Sequence, residues 1–525
     1  MRFPIRTFGF LSMSALAVSA RADMQLGMNT GTTVDWLQSH QTLSVDFRIG
    51  QPGAGYNPGG SYTGAFVPIV TGPTGFYSQA KNYPNGQYTI QLNAPNPAAV
   101  SVAVGGMFNG LSNVQISGNT YQATFNMSHD GGNILAGAGE IDLNTNGANP
   151  VTNFKVLQSG GLANPGGLTP DFAAQFNKFA GGRYMNNAGI NNNTSPMTAS
   201  DLMPSGQNLS NVGPNAYNPG NSYIDQVKWT NANPNAKTMF VNIPFNADPS
   251  YIKAVANVVK GVKAGVDIKW EYGNEPWNFA FAHTGWLYGQ SQSDNTHSFV
   301  NSDTYGRTGE EYGIKSVQMM QAVDSVIPNS KGFLNSQGAN QWYVDQAKNA
   351  INRNFGNGSV QQYFGSQGIS YYPTDNLTSD PHTPQGLYNA VIADIARQHQ
   401  YLANDIADAH ASGLKEYIYE TSVNGFLTQS GITAPEMDAW LASPLSGQAT
   451  TAMLNDMNSQ LKQAGEGAMW FTQSGDYWGG QLDPLSAPSQ VTLALNSFVA
   501  TPEPATLSFF GLVSVGLLAR RRKTV

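Results

Sequence analysis

Residues 237–276 read KTMFVNIPFNADPSYIKAVANVVKGVKAGVDIKWEYGNEP, and they carry the pattern of a strand, a helix and a second strand. Each end is a short apolar run of the length of a buried strand. Between the two runs, Asp248 and Pro249 are suited to the N-cap and the first position of a helix. The apolar residues that then recur at helical spacing are Ile252, Val255, Val259 and Val262. A strand–helix–strand unit of this kind indicates two parallel strands in one sheet.

The same alternation of strands and helices continues on both sides of this unit. Helices are predicted near residues 310–326, 344–351, 387–410 and 450–463. The candidate strands are QLGMN, GGRYMN, KTMFVNI, DIKWEYG, GFLNSQ, ISYY, EYIYE and AMWFTQ. Eight parallel strands alternating with helices are what a closed (β/α)8 barrel requires, so we predict an α/β protein with a TIM barrel. A doubly wound open sheet is the structural alternative.

The N-terminal residues have the layout of a secretory signal. Arg2 and Arg6 precede an apolar run over residues 8–18, and Ala20-Arg21-Ala22 follows it. That order predicts cleavage before Asp23 and export of the protein.

The C-terminal residues carry a second processing signal. Pro502-Glu503-Pro504 precedes an apolar run over residues 507–519, which ends at three arginines, residues 520–522. The run is short for a stable membrane span, which takes about 17 to 25 residues, and its basic end indicates a cytoplasmic flank. The segment resembles the PEP-CTERM sorting signal of Gram-negative bacteria. The resemblance implies transient membrane insertion, processing by an exosortase, and a final location in the cell envelope or extracellular matrix.

A β-rich segment lies between the first and second candidate strands. Over residues 84–157, short runs alternate apolar and polar residues and are separated by Gly, Asn or Pro, which predicts antiparallel strands in a small β-sandwich. We expect this module to be inserted into the barrel after strand 25–29. The predicted division is a signal peptide (1–22), the first barrel strand region (23–50), the β-rich insertion (51–158), the remainder of the barrel (159–495) and the sorting segment (501–525).

The composition excludes several functions. Charged residues make up 11% of the chain, against about 25% in typical globular domains. The net charge of −7 argues against nucleic acid as a partner, because such proteins carry a basic surface. The chain has no cysteine, so it forms no disulfide and has no catalytic thiol or Cys-ligated metal. A surface rich in neutral amides and hydroxyls can instead offer hydrogen bonds to polyhydroxylated ligands.

Two glutamates follow strands on opposite sides of the predicted barrel. Glu275, in YGNEPWN, ends the fourth strand, and Glu420, in YIYET, ends the seventh. Chemistry in such barrels occurs at the C-terminal ends of the strands, so both side chains would line one site. Two facing carboxyl groups are what glycoside hydrolysis requires. Taken alone, Glu275 also suits a turn before a proline, and Glu420 suits an ordinary strand.

Two further glutamates precede these by four residues. Glu271 and Glu416 are expected on the same faces of their strands as Glu275 and Glu420. They could therefore form a structural pair deeper in the barrel.

The stretches YGNEPWN and YIYET resemble the clan A glycoside hydrolases, which are retaining β-glycosidases on a TIM barrel. In that clan an Asn-Glu pair ends strand four, and a glutamate that ends strand seven is the nucleophile. The resemblance implies that Glu275 is the acid/base, that Asn274 binds the sugar 2-hydroxyl and that Glu420 is the nucleophile. It also implies that Arg183, in GGRYMNN, holds the nucleophile ionised.

Aromatic residues complete the site that the resemblance implies. Tyr371 or Tyr372, in SYYP, would donate a hydrogen bond to the nucleophile, and Trp470 would stack on the sugar. Trp277 is a further candidate for a sugar platform, although Trp277 and Trp470, taken alone, fit an ordinary core better. Trp478, in a Gly-rich loop, is favoured as a platform because loops around a barrel mouth form the binding surface.

The sequence favours an exported retaining β-glycoside hydrolase that acts on a polysaccharide or oligosaccharide with two glutamates. No metal site or cofactor is predicted, because the seven histidines lack His-Glu-x-x-His spacing and no phosphate loop or dinucleotide motif occurs. The competing hypothesis is a non-catalytic carbohydrate-binding or matrix structural protein on the same barrel.

Overall fold

A computed structural model describes much of the chain between residues 24 and 500. The described residues are 24–29, 45–49, 64–70, 86–105, 108–128, 139–145, 148–158, 168, 170–185, 190, 196–202, 208–209, 220–373, 382–425, 432–471 and 488–500. The predicted signal peptide (1–22), the predicted sorting segment (501–525) and Trp478 lie outside the described residues.

Eight parallel strands form a closed ring. In chain order they are Gln25–Asn29, Gly181–Arg183, Thr238–Ile243, Asp267–Tyr272, Gly332–Asn335, Phe364–Gly368, Lys415–Thr421 and Gly467–Phe471. Each strand pairs with its neighbours in this order, and the first and eighth strands pair with each other, so the ring has no free edge. A short strand, Ser370–Tyr371, continues the sixth and also pairs with the seventh. The predicted (β/α)8 barrel is confirmed, and the open sheet is excluded.

Helices follow the strands around the outside of this ring. The described helices are Pro170–Phe176, Tyr223–Ala232, Pro249–Val259, Ala282–Ser293, Thr304–Asp324, Trp342–Phe355, Ser359–Tyr363, Pro384–Ala411, Ala434–Ala442, Pro444–Gln460 and Gln490–Ala500, with 3-10 turns at Pro97–Ala99 and Ala199–Asp201. Within the described residues, none of these helices has the length and apolar character that a membrane crossing needs.

The unit at residues 237–276 shows why these elements form. The Asp248 side chain accepts a hydrogen bond from the backbone N–H of Tyr251 at 2.8 Å, and Pro249 occupies the first turn, as predicted. Val255 and Val259 on the inner face of this helix are fully buried against the barrel. The strands on either side pair in parallel from Thr238 to Ile243.

The inside of the barrel is filled by a small set of large side chains. Phe240, Phe333, Tyr417, Tyr419 and Met469 form a buried cluster apart from the core under the helices. The Phe240 ring packs edge-on against Phe333 at 5.0 Å between centroids and against Tyr417 at 5.2 Å. The barrel is therefore a packed core, and any site must lie at its mouth.

Antiparallel sheets lie in the chain between the first and second barrel strands. One contains, in spatial order, Val45–Ile49, Gly64–Val70, Gly139–Thr145 and Ser101–Gly105, and the other contains Phe108–Ser117, Thr120–Met127, Gly86–Asn93 and Thr152–Gln158. Ile141 of the first sheet and Ile90 and Phe125 of the second share one hydrophobic core. Val45–Ile49 pairs with Gly64–Val70, so the antiparallel pairing begins before residue 51, where we expected the insertion to start.

Candidate active site

The fourth strand ends in a tight turn that presents Glu275. Gly273 and Glu275 both have positive φ, +71° and +43°, in the region that non-glycine residues seldom adopt. A Cβ at Gly273 would lie 1.8 Å from the Phe245 ring, so only glycine fits there. The His283 ring stacks on the Phe245 ring, with 4.1 Å between the ring centroids. A strained glutamate at a barrel mouth indicates a functional position.

Glu275 is held in surroundings that favour its neutral form. Its side chain is almost fully buried, and burial together with the nearby charge of Glu420 raises the pKa of Glu275 to about 8. Asn278 Nδ2 donates to Glu275 Oε2 at 2.8 Å, which opposes this rise, as does the charge of Arg183. Glu275 is therefore suited to carry a proton near neutral pH.

A β-bulge in the seventh strand turns Glu420 toward the same mouth. Ile418 lies opposite Ala468 of the eighth strand, but the next paired residue, Thr421, lies opposite Trp470. The seventh strand thus has two residues, Tyr419 and Glu420, where its neighbour has one. Tyr419 belongs to the barrel interior, and the extra residue lets Glu420 reach the interior as well.

Glu420 has partners that favour its ionised form. Arg183 Nη1 donates to Glu420 Oε1 at 2.7 Å, and the Tyr372 hydroxyl donates to Oε2 at 3.0 Å. Burial raises the pKa of Glu420 above its ordinary value, and Arg183 and Tyr372 offset only part of that rise. Gln398 Nε2 in turn donates to the backbone oxygen of Tyr372 at 2.9 Å, which fixes the tyrosine.

Arg183, fully buried on the second strand, links the ends of the fourth and seventh strands. Its Nε and Nη2 donate to both oxygens of Glu271, at 2.8 and 2.6 Å, and Nη2 also donates to Asn274 Oδ1 at 2.8 Å. Asn242 Nδ2 donates to Glu271 Oε2 at 2.6 Å. Since another Arg183 nitrogen binds Glu420, one guanidinium sets the spacing of three site residues.

The predicted pair of Glu271 and Glu416 is wrong. Glu271 points into the barrel and pairs with Arg183, whereas burial and the neighbouring Asp405 carboxyl raise the pKa of Glu416. Asp405 belongs to the outer helix Pro384–Ala411, so Glu416 faces the helices. The bulge at Tyr419 and Glu420 breaks the alternation between Glu416 and Glu420, and the two therefore face opposite ways.

Some of the remaining aromatic candidates lie beside the two glutamates, and others contact the outer helices. Tyr372 contacts Glu420, but the Tyr371 hydroxyl donates to Asp456 on the outer helix Pro444–Gln460 at 2.8 Å. Trp470 is fully buried in the core under the helices, so its ring has no free face for a sugar and that prediction is wrong. It follows Met469, which points into the barrel, and so points outward. Trp277 is only partly buried beside Glu275.

Sequence reasoning missed three amides that support the site. Asn278 binds Glu275, Asn242 binds Glu271, and Gln398 fixes Tyr372. Only Asn278 had a local signal, since it lies one turn after Glu275 in the same stretch. Among the described residues, no group of three or more His, Cys, Asp or Glu side chains could hold a metal ion.

We expect Gly273→Ala to lower the free energy of unfolding by about 2 to 5 kcal/mol, because positive φ and overpacking against Phe245 both cost energy. Gly265→Ala is the matched control: Gly265 has φ +86°, but a Cβ there has no atom within 4 Å. That variant should lose only about 1 kcal/mol. Urea unfolding of both proteins measures the difference, and equal losses would show that contact with Phe245 does not constrain the turn.

Fold and site together define a parallel (β/α)8 barrel with two buried glutamates at the C-terminal ends of its fourth and seventh strands. Residues 500–523 match the PEP-CTERM protein-sorting motif, which confirms the resemblance at the C-terminus. The motif indicates export, exosortase-type processing and association with the cell envelope of a Gram-negative bacterium. No curated protein sequence matches the chain.

Solved structures with a similar fold include several glycoside hydrolases. A 4-O-α-L-rhamnosyl-β-D-glucuronidase from Fusarium oxysporum 12S is 14% identical over 61% of this chain and 60% of its own, with a TM-score of 0.35. A GH51 α-L-arabinofuranosidase from Thermotoga petrophila RKU-1 is 12% identical over 65% of each chain, with a TM-score of 0.37. A family 44 xyloglucanase from Paenibacillus polymyxa is 14% identical over 61% of this chain and 72% of its own, with a TM-score of 0.33. At these identities and TM-scores the likeness carries no conclusion about the activity or substrate of this chain.

Proposed function

We propose that the protein is an exported retaining β-glycoside hydrolase that acts on a polysaccharide. Glu420 is the nucleophile and Glu275 is the acid/base. The observation that carries this proposal is the contrast between the two carboxyl groups. Glu420 accepts hydrogen bonds from Arg183 and Tyr372, whereas burial and the charge of Glu420 raise the pKa of Glu275 to about 8. Paired carboxyls with opposed environments are what acid and nucleophile roles need.

The reaction proceeds in two displacements. Ionised Glu420 attacks the anomeric carbon while Glu275 gives its proton to the glycosidic oxygen, so the leaving sugar departs and a glycosyl ester forms on Glu420. Glu275, now ionised, takes a proton from water, and that water attacks the anomeric carbon and releases Glu420. Retention requires the carboxyl groups to lie roughly 5 to 5.5 Å apart. Glu420 lies near enough to Glu275 for its charge to raise the pKa of Glu275.

Asn274 and Arg183 hold the substrate and the nucleophile in register. Because Asn274 Oδ1 accepts from Arg183, the Asn274 amide is oriented, and its Nδ2 is the group that would bind the sugar 2-hydroxyl. The shared guanidinium keeps this amide and Glu420 at one spacing.

Before processing, the C-terminal segment makes a transient contact with the membrane. The processed enzyme then acts in the cell envelope or extracellular matrix, with the sandwich as a module inserted in the barrel.

The test is incubation of the processed protein with β-glucans, mannans and the producer's own exopolysaccharide. We expect reducing ends to be released from at least one polymer, and NMR should show that the first-formed anomer retains the β configuration. An inverted first product would contradict the double displacement. Binding without any release of reducing ends would favour the non-catalytic carbohydrate-binding protein.

We expect kcat/KM on the polysaccharide to fall as pH rises through about 8, because Glu275 loses its proton over that range. Below that pH the proton is bound, and activity persists until Glu420 itself becomes protonated at the acid end. Asn278→Ala removes a hydrogen bond that stabilises the Glu275 anion, so the alkaline limb should move to higher pH. A pH–rate profile of both proteins measures this. An alkaline limb that does not move in Asn278→Ala would contradict the assignment.

A further inference from the structure

Three aromatic side chains form a continuous surface beside Glu275, which we call the aromatic strip: Phe279, Tyr305 and Trp342. The Phe279 and Tyr305 ring centroids lie 6.4 Å apart, and those of Tyr305 and Trp342 lie 5.9 Å apart with nearly parallel planes. Phe279 is 50% exposed and Trp342 is 41% exposed, with Tyr305 half-buried between them. In the described part of the chain, Phe279 and Trp342 are the only aromatic residues among the exposed large hydrophobic side chains. Exposed aromatic rings in contact with one another mark a binding surface.

The strip is rigidly attached to the turn that carries Glu275. The Tyr343 hydroxyl donates to the backbone oxygen of Pro276, the residue after Glu275, at 2.9 Å. Tyr305 packs edge-on against the Tyr343 ring at 5.0 Å between centroids. Phe279 lies in the same turn, four residues after Glu275. The strip therefore holds a set position relative to the acid/base. Ligand binding there costs the protein little side-chain entropy, because the rings are already held in place.

Trp342 rests directly on the helix Thr304–Asp324. A Cβ at Gly306 would lie 2.7 Å from Trp342 Cη2 and 2.8 Å from Asn301 Cγ, so the glycine makes room for both side chains. Asn301 Nδ2 donates to Gln346 Oε1 at 2.8 Å, which places a neutral amide beside the ring. Sugars bind proteins through this combination of a flat aromatic face and amide groups at its edge.

The charges near the strip are engaged in local contacts. Asp303 accepts from the N–H of Gly306 as the N-cap of its helix, and Asp345 pairs with Lys348 at 3.0 Å. The Tyr305 hydroxyl donates to the neutral amide of Gln337. These groups favour an uncharged ligand, because an acidic sugar would face two carboxylates here.

We propose that the aromatic strip binds the leaving-group side of a neutral polysaccharide chain. This rests on the proposed function, in which the acid Glu275 gives its proton to the oxygen of the leaving sugar. The sugars beyond that oxygen extend past Glu275 on the side away from Glu420. The strip begins in the Glu275 turn itself, so it forms the surface that those sugars meet. A binding surface there selects a polymer over a small glycoside.

Binding is tested in the Glu420→Gln background, so that turnover does not remove the ligand. The probes are hydroxyethyl cellulose and galactomannan as neutral polymers and polygalacturonate as an acidic one, in affinity gel electrophoresis. We expect a neutral polymer to retard the protein, and Trp342→Ala and Phe279→Ala each to weaken this binding by about tenfold, the loss of one stacked ring. Val300→Ala is the matched control, since Val300 is 67% exposed on a nearby segment outside the strip.

Turnover separates this proposal from the proposed function. With Glu420 intact, Trp342→Ala should raise KM for the polysaccharide several-fold, whereas Val300→Ala should leave KM for the polysaccharide unchanged. Binding lost in the strip variants while the parent protein cleaves nothing would support the strip and contradict the hydrolase. If both strip variants fold and still cleave and bind the polymer as the parent does, the strip proposal is wrong and the proposed function stands. Retardation by polygalacturonate only, or a dimer that Trp342→Ala dissociates, would also overturn it.

Discussion

Glu420→Gln is expected to abolish hydrolysis, with a loss of rate on the order of 10⁶, the scale seen when a covalent nucleophile is removed. The amide has nearly the volume of the carboxylate, so the fold should persist, but it carries no charge to attack the anomeric carbon. Arg183 would still be paired with Glu271, and the Tyr372 hydroxyl can donate to the amide oxygen. The release of reducing ends from the polysaccharide, followed over days, measures the loss.

The matched control for this variant is Glu416→Gln. Glu416 lies on the same strand and is as deeply buried, but it faces the outer helix Pro384–Ala411 rather than the barrel mouth. This substitution should leave kcat within about threefold of the parent value, because the Glu416 side chain lies outside the barrel mouth. Full activity in Glu420→Gln, or an equal loss in both variants, would show that the site lies elsewhere.

Arg183→Met is expected to lower the free energy of unfolding by about 3 to 5 kcal/mol, because it leaves buried carboxylates without their cation. Arg183 is fully buried, and its ion pairs reach Glu271 at 2.6 Å and Glu420 at 2.7 Å. The loss should shrink in acid, where the carboxyl groups can take up protons and no unpaired charge remains buried. Urea unfolding at neutral and acidic pH measures both effects.

Lys178→Met is the control for this stability experiment. Lys178 is an exposed cation that donates to Gln175 at the surface, and its loss should cost less than about 1 kcal/mol. If Arg183→Met costs no more than Lys178→Met, the guanidinium does not organise the site. A loss of stability that is independent of pH would point to lost packing as its cause.

The sequence alone was sufficient for the class of fold. Strand–helix alternation, visible at residues 237–276, is a local signal, because apolar spacing and the Asp248 cap act within one element. A closed barrel is the arrangement of eight such strands in which every strand edge is paired. The sequence also pointed to Glu275 and Glu420, because residues that end parallel strands meet at one mouth whatever the details of packing. Arg183 was indicated only by the family resemblance.

Side-chain direction depends on contacts between strands, and there the sequence misled. The register shift between the seventh and eighth strands turns Glu420 into the barrel and leaves Glu416 facing outward, so simple alternation from Glu416 was wrong. Alternation along the eighth strand likewise sends Trp470 outward under the helices. Tyr371 and Tyr372 were equivalent candidates in the sequence, and the structure shows that Tyr372 contacts Glu420 whereas Tyr371 contacts Asp456.

The sequence by itself predicted the parallel barrel, the sorting signal and the two strand ends that carry carboxyl groups, because each of these depends on residues close together in the chain. Only the tertiary structure shows that the two carboxyl groups lie in different surroundings. That difference arises from Arg183 and Tyr372, which reach Glu420 from 237 and 48 residues away in the chain. It also depends on the burial of the Glu275 side chain. A pKa responds to nearby charges and to solvent exposure, and the folded structure sets both of these.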